Sequence, residues 1–445
     1  MLKIKFKNLG PLKSGEVIIK DMTVFCGKNN TGKTYVNYLI YSVLETLKNY
    51  KAEFNLDITQ LLREGIQEID VVSLFENNFD RVVKEIANEV RKNLYKVFNS
   101  KKEFFKDLEL EIELNKEQKR FELNSTEIKE TFTRGQDEVK ILTVKKMKHG
   151  KHLLLVYYLK EDLGEFILDY LNNFLTRLLI NENKEKYMLP TERNGLNIFY
   201  NEILKERFSF VEEFKNISFP TTNNLKKISS YPKPVKDYLN ILTELNKYDK
   251  IDGNRPLIDI AEEMEKEIIK GKYKIDNNRI FYQTENKKEL DLYMASSTVK
   301  TIFGVIFYLR HLIKEKDYLI IDEPELNLHP ENQVKIARLL VRLVNSGVKV
   351  IISTHSDYIT KEFNNLLMLD NDFKNKTEIM ERYGYSEKDI LRKNSTGAYL
   401  FKDGTMNEME IGEEGIITKT FDEVIESINE RNDDIYYSLK ESGDE

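Results

Sequence analysis

Met22-Thr23-Val24-Phe25-Cys26-Gly27-Lys28-Asn29-Asn30-Thr31-Gly32-Lys33-Thr34 is the stretch that decides the fold. Its last eight residues fit G-x-x-x-x-G-K-[ST]. The apolar run before them predicts a strand, and Val36, Leu39, Ile40, Val43 and Leu47 after them mark one face of a helix. Strand, glycine loop and helix in that order form a phosphate cradle. Gly27 and Gly32 let the loop wrap so that backbone N–H groups point inward. Lys33 is placed to neutralise β- and γ-phosphates, Thr34 to hold Mg²⁺, and the helix turns its positive end toward the anion. Asn29, Asn30, Thr31 and Tyr35 complete the predicted nucleotide-binding stretch.

Working outward, the chain has 445 residues, 40% hydrophobic and 32% charged, with a formal net charge of −6. That balance describes a globular protein with much solvated helix, long enough for about two or three domains. A net acidic chain is not a nucleic-acid glove overall, so any DNA contact requires a local basic patch. The single cysteine, Cys26, excludes an internal disulfide framework and suits a reducing cytoplasm. Its place in the strand before the loop makes it a small packed residue. Apolar runs of about 18 residues are absent, which argues against a membrane span. Met1 to Phe6 alternates like a strand and lacks the apolar core of a signal peptide. The expected location is cytoplasmic, away from any membrane.

The pattern divides the chain into five stretches. Residues 1–50 carry three short strands, the loop and its helix. Residues 51–185 read as a helical and β insertion, with a short helical hairpin over Phe79–Leu108, strands at Leu108–Leu114, Val139–Val144 and Leu153–Leu159, and a helix at Phe166–Ile180. Residues 186–271 begin with a returning strand, Lys186 to Pro190, and continue as a helical subdomain ended by Gly271. Residues 272–405 open with three short strands, Tyr273–Asp276, Arg279–Gln283 and Leu290–Tyr293, and then alternate wholly apolar strands with helices, the signature of a parallel sheet covered on both faces. Strands are expected at Tyr318–Ile321, Val348–Ile352 and Leu366–Leu369. The acidic tail, 406–445, has one helical pattern at Thr420–Arg431.

Three further motifs lie in this order. Ala295-Ser296-Ser297-Thr298 precedes a long helix; two hydroxyls there form an anion site or, equally well, an ordinary N-cap pair. Tyr318-Leu319-Ile320-Ile321-Asp322-Glu323 is a Walker B strand, expected beside the loop strand, with Asp322 for the Mg²⁺ shell and Glu323 as general base. Ile351-Ile352-Ser353-Thr354-His355-Ser356 delivers a histidine at a strand tip, where it can bond a γ-phosphate and the catalytic water.

Together these motifs resemble the ABC-type ATPases of the SMC-like branch, and more closely the bacterial ATPases related to the OLD (overcoming lysogenization defect) nucleases. Ile321-Asp322-Glu323-Pro324-Glu325-Leu326-Asn327-Leu328-His329-Pro330 is similar to that group almost letter for letter. Leu189-Pro190-Thr191-Glu192-Arg193 resembles its Pro-Ala-x-Arg element. The resemblance covers about residues 1–50 and 185–405. It implies an α/β fold, a P-loop NTPase of ABC-ATPase head type with a mixed helical/β insertion and a helical subdomain. It also implies a homodimer or higher homo-oligomer closing around ATP. In that frame Lys33 and Thr34 take phosphate and metal, Asp322 is the metal carboxylate for Mg²⁺, Glu323 the base and His355 the switch histidine. Ser296 and Ser297 are the signature presented to the partner's nucleotide, and Asn327 and His329 lie near the dimer seam. Thr298 stands where the signature usually has glycine; its Cβ would crowd that phosphate and make hydrolysis slow or gated. Glu192 and Arg193 are the nearest candidates for sensing nucleotide between lobes.

Proteins of this group accompany a separate effector, a nuclease or toxin, in bacterial anti-phage systems such as Septu and PARIS. The resemblance therefore implies an ATPase subunit that controls such an effector when phage DNA or a phage protein is sensed, with DNA as a candidate partner. A DNA-repair or maintenance ATPase clamping duplex DNA is one alternative, and an ATP-stabilised scaffold with little turnover is another. A transporter subunit fits poorly, because the interval between the Walker motifs is long and a Leu-Ser-Gly-Gly-type signature is missing. Asp370-Asn371-Asp372 reads as a strand-end turn, not a Toprim nuclease centre. The basic stretches Lys145 to His152 and Asn223 to Lys236 read as solvated turns ahead of phosphate sites.

Overall fold

A computed structural model describes residues 2–134, 138–159, 163–182, 184–203, 231–251, 253–416 and 429–436. The chain divides into two compact units. One comprises Met1–Ile19, Thr34–Lys186 and Thr222–Lys236; the other comprises Lys20–Lys33, Tyr187–Thr221 and Asp237–Glu445. The expected features at Lys226, Lys227 and most of Thr420–Arg431 lie outside the described residues.

The second unit is organised around the strand Met22–Gly27, every residue of which is buried. Lys349–Thr354 pairs with it in parallel on one side and Thr396–Lys402 in parallel on the other. Tyr318–Asp322 pairs in parallel with the far side of Lys349–Thr354, and Lys186–Leu189 follows it at that edge. Thr405–Glu408 runs antiparallel to Thr396–Lys402. Strands buried on both faces need continuous apolar runs, and Leu319, Ile320, Ile321, Val350, Ile351 and Ile352 supply them. The helix Ser297–His311 buries nearly every residue from Val299 to Leu309. Pro330–Asn345 is amphipathic and buries Ile336, Leu340 and Leu343.

Several sequence expectations change here. The Walker B strand is not beside the loop strand: Lys349–Thr354 lies between them. Leu366–Leu369 is not a strand, since Leu366 and Leu367 complete the helix Asp357–Met368 and face its buried side. A short apolar run cannot by itself separate these outcomes. Asp370-Asn371-Asp372 consequently follows a helix. The strands at 396–408, which lack a long apolar run, were not anticipated. The helical subdomain contains Lys233–Thr243, Arg255–Met264 and a π-helical turn, Glu265–Ile269. Its C-cap is Lys270 in the left-handed conformation, and Gly271 opens the next strand.

In the first unit, Leu2–Leu9 pairs antiparallel with Leu12–Ile19 and, on its other side, with Glu109–Leu114. A second sheet orders Ile66–Asp70, His152–Tyr157, Val139–Lys146 and Ile128–Arg134. The helix Val71–Val97 starts at Asp70, whose carboxylate accepts from the N–H groups of Val72 and Ser73. It buries Phe79, Val83, Ile86, Val90 and Leu94 at helical spacing. The short hairpin expected over Phe79–Leu108 is instead this one long helix followed by the 3-10 turn Lys102–Phe105. Phe98 and Phe105 pack with ring centroids 4.8 Å apart, which turns the chain before a second helix can form. No described helix is long and apolar enough to cross a membrane.

Candidate nucleotide site

The three central parallel strands end at Gly27, Thr354 and Asp322 on the same edge, which is where open α/β sheets bind ligands. Gly27 has φ 150°, and a Cβ there would lie 2.8 Å from the carbonyl oxygen of Phe401, so only glycine fits. Asn30 and Gly32 also take positive φ, 63° and 100°. Thr31 Oγ1 donates to Lys28 O at 2.8 Å, drawing the loop tight, while Asn29 stays exposed. Lys33 is buried, and its Nζ donates to Gly27 O and Lys28 O, each at 2.8 Å. Burial pushes its pKa down, and the charges of Asp322, Glu323 and Glu325 oppose that shift. Lys33 opens the helix Lys33–Asn49, with Thr34 exposed in its first turn. Tyr35 turns its ring into an aromatic cluster, 5.1 Å from Phe98 and 6.3 Å from Phe104, so only its backbone is left for a phosphate.

Asp322 is buried at the end of its strand. Ser353 donates its hydroxyl to one carboxylate oxygen, and Thr191 Oγ1 donates to the other at 3.2 Å. Glu323 follows in the left-handed conformation, φ 52°, a strained setting for a residue of its type. Its N–H donates to Ser353 O at 2.9 Å. Arg193, 1% exposed, fixes the turn from the other side. Its guanidinium donates to Asp322 O and Glu323 O, both at 2.6 Å, and to Pro190 O at 3.2 Å. A planar fork can address two adjacent carbonyls at once. Arg193 is thus tied to the main chain of the Walker B turn, a role its motif did not disclose.

Glu325 holds the histidine strand. Its Oε1 accepts from Thr354 Oγ1 and His355 N, each at 2.8 Å, and lies 3.3 Å from His355 Nδ1. The same Nδ1 is 3.7 Å from Glu323 Oε1. Burial raises the pKa of Glu323, helped by the adjacent Asp322 and Glu325 charges and opposed by His355 and Lys33. Lys33, Asp322, Glu323 and His355 therefore form one cluster. Glu325 belongs with them; its Glu-Pro-Glu context was visible, but its task depends on which strand is its neighbour. Cys26 lies beneath, buried, its thiol pushed up to about 12, which keeps it a packed and inert residue.

Ser296 and Ser297 stand apart from this cluster, exposed at the start of Ser297–His311. Ser296 Oγ caps the helix by accepting from Val299 N at 3.3 Å. Thr298 Oγ1 donates to Asn327 O at 3.2 Å, and Asn327 Nδ2 donates to Thr301 Oγ1 at 3.4 Å. The helix start and the segment after Walker B are tied together by these bonds. His329 caps Pro330–Asn345 through Glu331 N.

Buried Lys33 facing three carboxylates, a glycine cradle and hard oxygen donors at Thr34 and Asp322 fit a nucleoside triphosphate with Mg²⁺. Fold and loop define an α/β P-loop nucleotide-binding protein. The family model described as an AAA ATPase domain matches residues 1–360, and the chain belongs to that family. No curated protein matches it. Among solved structures it is similar to a Pyrococcus furiosus Smc head domain bound to the C-terminal domain of ScpA, at 11% identity and TM-score 0.31, covering 97% of this chain and 100% of that one. A Thermotoga maritima SMC head domain matches at 10% identity and TM-score 0.28, covering 92% and 98%. An SmcHead bound to the C-winged helix domain of ScpA matches at 12% and 0.35, covering 94% and 97%.

Proposed function

We propose that the chain is an ATP-hydrolysing subunit of ABC-head type that closes with a second copy around ATP and controls a separate effector, a nuclease or toxin, in a bacterial anti-phage complex. One observation carries the catalytic half: Glu323, with a raised proton affinity, lies beside Asp322 and His355 on the edge that also presents Lys33. In this reading Lys33 leaves the Gly27 and Lys28 carbonyls for the β- and γ-phosphates. Water attacks the γ-phosphorus, Glu323 takes its proton, and the β–γ bridging bond breaks with its electrons leaving on ADP. His355 orients the water and the γ-phosphate. Mg²⁺, when bound, would supply neutralisation of the phosphate charge, held by Thr34 and Asp322. Arg193 keeps the strained Glu323 turn in place.

The Ile321 to Pro330 phrase and the Leu189 to Arg193 element support the OLD-related reading, and with it dimerisation and the effector. Ser296 and Ser297 are exposed at the helix start, Ser296 as its cap, where a partner's phosphate would meet them. The bond from Thr298 to Asn327 supports gating, because the helix start and the Walker B segment then move together. The test is ATP turnover with and without duplex DNA, beside Glu323→Gln sized by chromatography in ATP. We expect turnover to fall by about 10²–10⁴-fold, ATP binding to persist and the variant to run as a closed dimer. Unchanged turnover would remove Glu323 as the base. A variant that binds ATP with no change of size would remove the dimer and leave a scaffold.

A further inference from the structure

We propose that the cleft between the end of the helix Val71–Val97 and the turn Lys102–Phe105 binds the phosphodiester backbone of a nucleic-acid strand. The cleft has a volume of about 380 Å³ and is lined by Arg91, Lys92, Tyr95, Lys102, Phe105 and Lys106, with Glu103 the one acid. Residues 91–106 hold six cations, Lys96 and Lys101 included, against that single acid, in a chain whose net charge is −6. Arg91, Lys92, Lys96, Lys101, Lys102 and Lys106 are all exposed, and among the described residues none of them forms an ion pair. The contrast lies within the same unit. Arg81, earlier on the helix, meets Glu85 at 2.7 Å, and Lys116 meets Asp80 at 2.8 Å.

The helix dipole does not account for this cluster. It favours cations within the last turn, where Lys96 stands, whereas Arg91 and Lys92 lie further back and Lys102 and Lys106 lie outside the helix. Two separate elements bring like charges to one concave surface, and low-dielectric walls focus their field outward. A polyanion relieves the repulsion and releases its counterions.

Aromatic rings complete the site. Phe104 is 55% exposed beside Lys101 and Lys102, so one face is open for a base to stack upon. Its ring is held edge-on by Phe105 at 5.0 Å and stacked on Tyr35 at 6.3 Å. Phosphate contact is common to duplex and single-stranded nucleic acid, and Phe104 separates the two sources. The proposal does not depend on hydrolysis, and its test needs no nucleotide.

The experiment is fluorescence anisotropy of the full chain with a labelled single-stranded oligonucleotide and a labelled duplex, from about 50 to 200 mM salt. One variant combines Arg91→Glu, Lys92→Glu, Lys102→Glu and Lys106→Glu; a second places Gln at the same positions, in case reversal disturbs folding, and both are checked by circular dichroism. We expect more than about tenfold loss of affinity at low salt, and a log–log salt slope reduced by about 3. Phe104→Ala weakening the single strand alone by about fivefold or more identifies stacked bases. Phe104→Ala leaving both unchanged identifies duplex held through phosphates. The proposal is overturned if the native chain shows no salt-dependent binding to either nucleic acid. It is also overturned if both variants bind within twofold of the native chain, or if poly-glutamate competes as well as DNA does.

Discussion

Lys33, Arg193, Asp322, Glu323 and Glu325 crowd one sheet edge, and nearly all are buried, each answered by a hydroxyl, a carbonyl or a nearby opposite charge. Arg91, Lys92, Lys102 and Lys106 in the other unit are exposed and, among the described residues, form no ion pair. The first region stores electrostatic energy in short, directed bonds at low dielectric, where geometry decides the outcome. The second offers an undirected field that salt screens over about 10 Å. Substitution should therefore act on orientation and rate in the one, and on salt-dependent affinity in the other.

The sharpest break in that comparison would come at Arg193. Arg193→Gln removes a buried fork from two carbonyls, and we expect a stability loss of about 3 kcal/mol in urea unfolding. Turnover should fall well below what the change in ATP affinity explains, because Glu323 loses its fixed turn. Arg193→Lys should rescue little, because a point ammonium lacks the planar fork whose two nitrogens address separate carbonyls. If either variant shifts ATP affinity and turnover in equal proportion, Arg193 acts on binding and not on positioning.

Acidity probes the same region more gently. The folded state raises the pKa of Glu323 above its ordinary 4.5, so it binds that proton more tightly than the unfolded chain does. Its contribution to stability is present below the unfolded value and lost as pH rises through the folded one. Glu323→Gln should melt higher than the native chain at pH about 8, with the gap closing as pH falls toward the ordinary carboxylate range. Turnover should decline on acidification before an unperturbed carboxylate would be protonated. A Gln variant that melts lower across the whole range would contradict the strained, desolvated setting.

The smallest effect is expected at the other basic stretch. Lys146 is buried, its ammonium donating to Thr126 O at 3.1 Å, so it is withdrawn from any phosphate. Lys145→Glu with Lys148→Glu should change anisotropy-measured DNA affinity by less than about twofold. A large loss there would move the nucleic-acid site from the cleft to this turn.

The chemistry of the nucleotide edge was legible because each part is contiguous: a glycine loop with its lysine, an apolar strand ending in Asp322-Glu323, a strand ending in His355. Tyr35 shows where local reading stops, since a residue next to the phosphate motif turns its side chain into a cluster with Phe98 and Phe104. The cleft itself carries no motif, because its cations come from two elements whose approach depends on packing around Phe98 and Phe105.

What the chain determines alone is the set of strands and helices with long, consistent periodicity, and the identity of the groups that meet phosphate. Tertiary structure decided which strand lies next to which, and so that Glu325 reaches Thr354 and His355 and that Arg193 grips Asp322 and Glu323. It also decided that Leu366 and Leu367 belong to a helix. The physical reason is range. Periodicity and turn chemistry act over a few residues, whereas strand order and buried hydrogen bonds join residues more than a hundred positions apart, and only the packed core selects among those pairings.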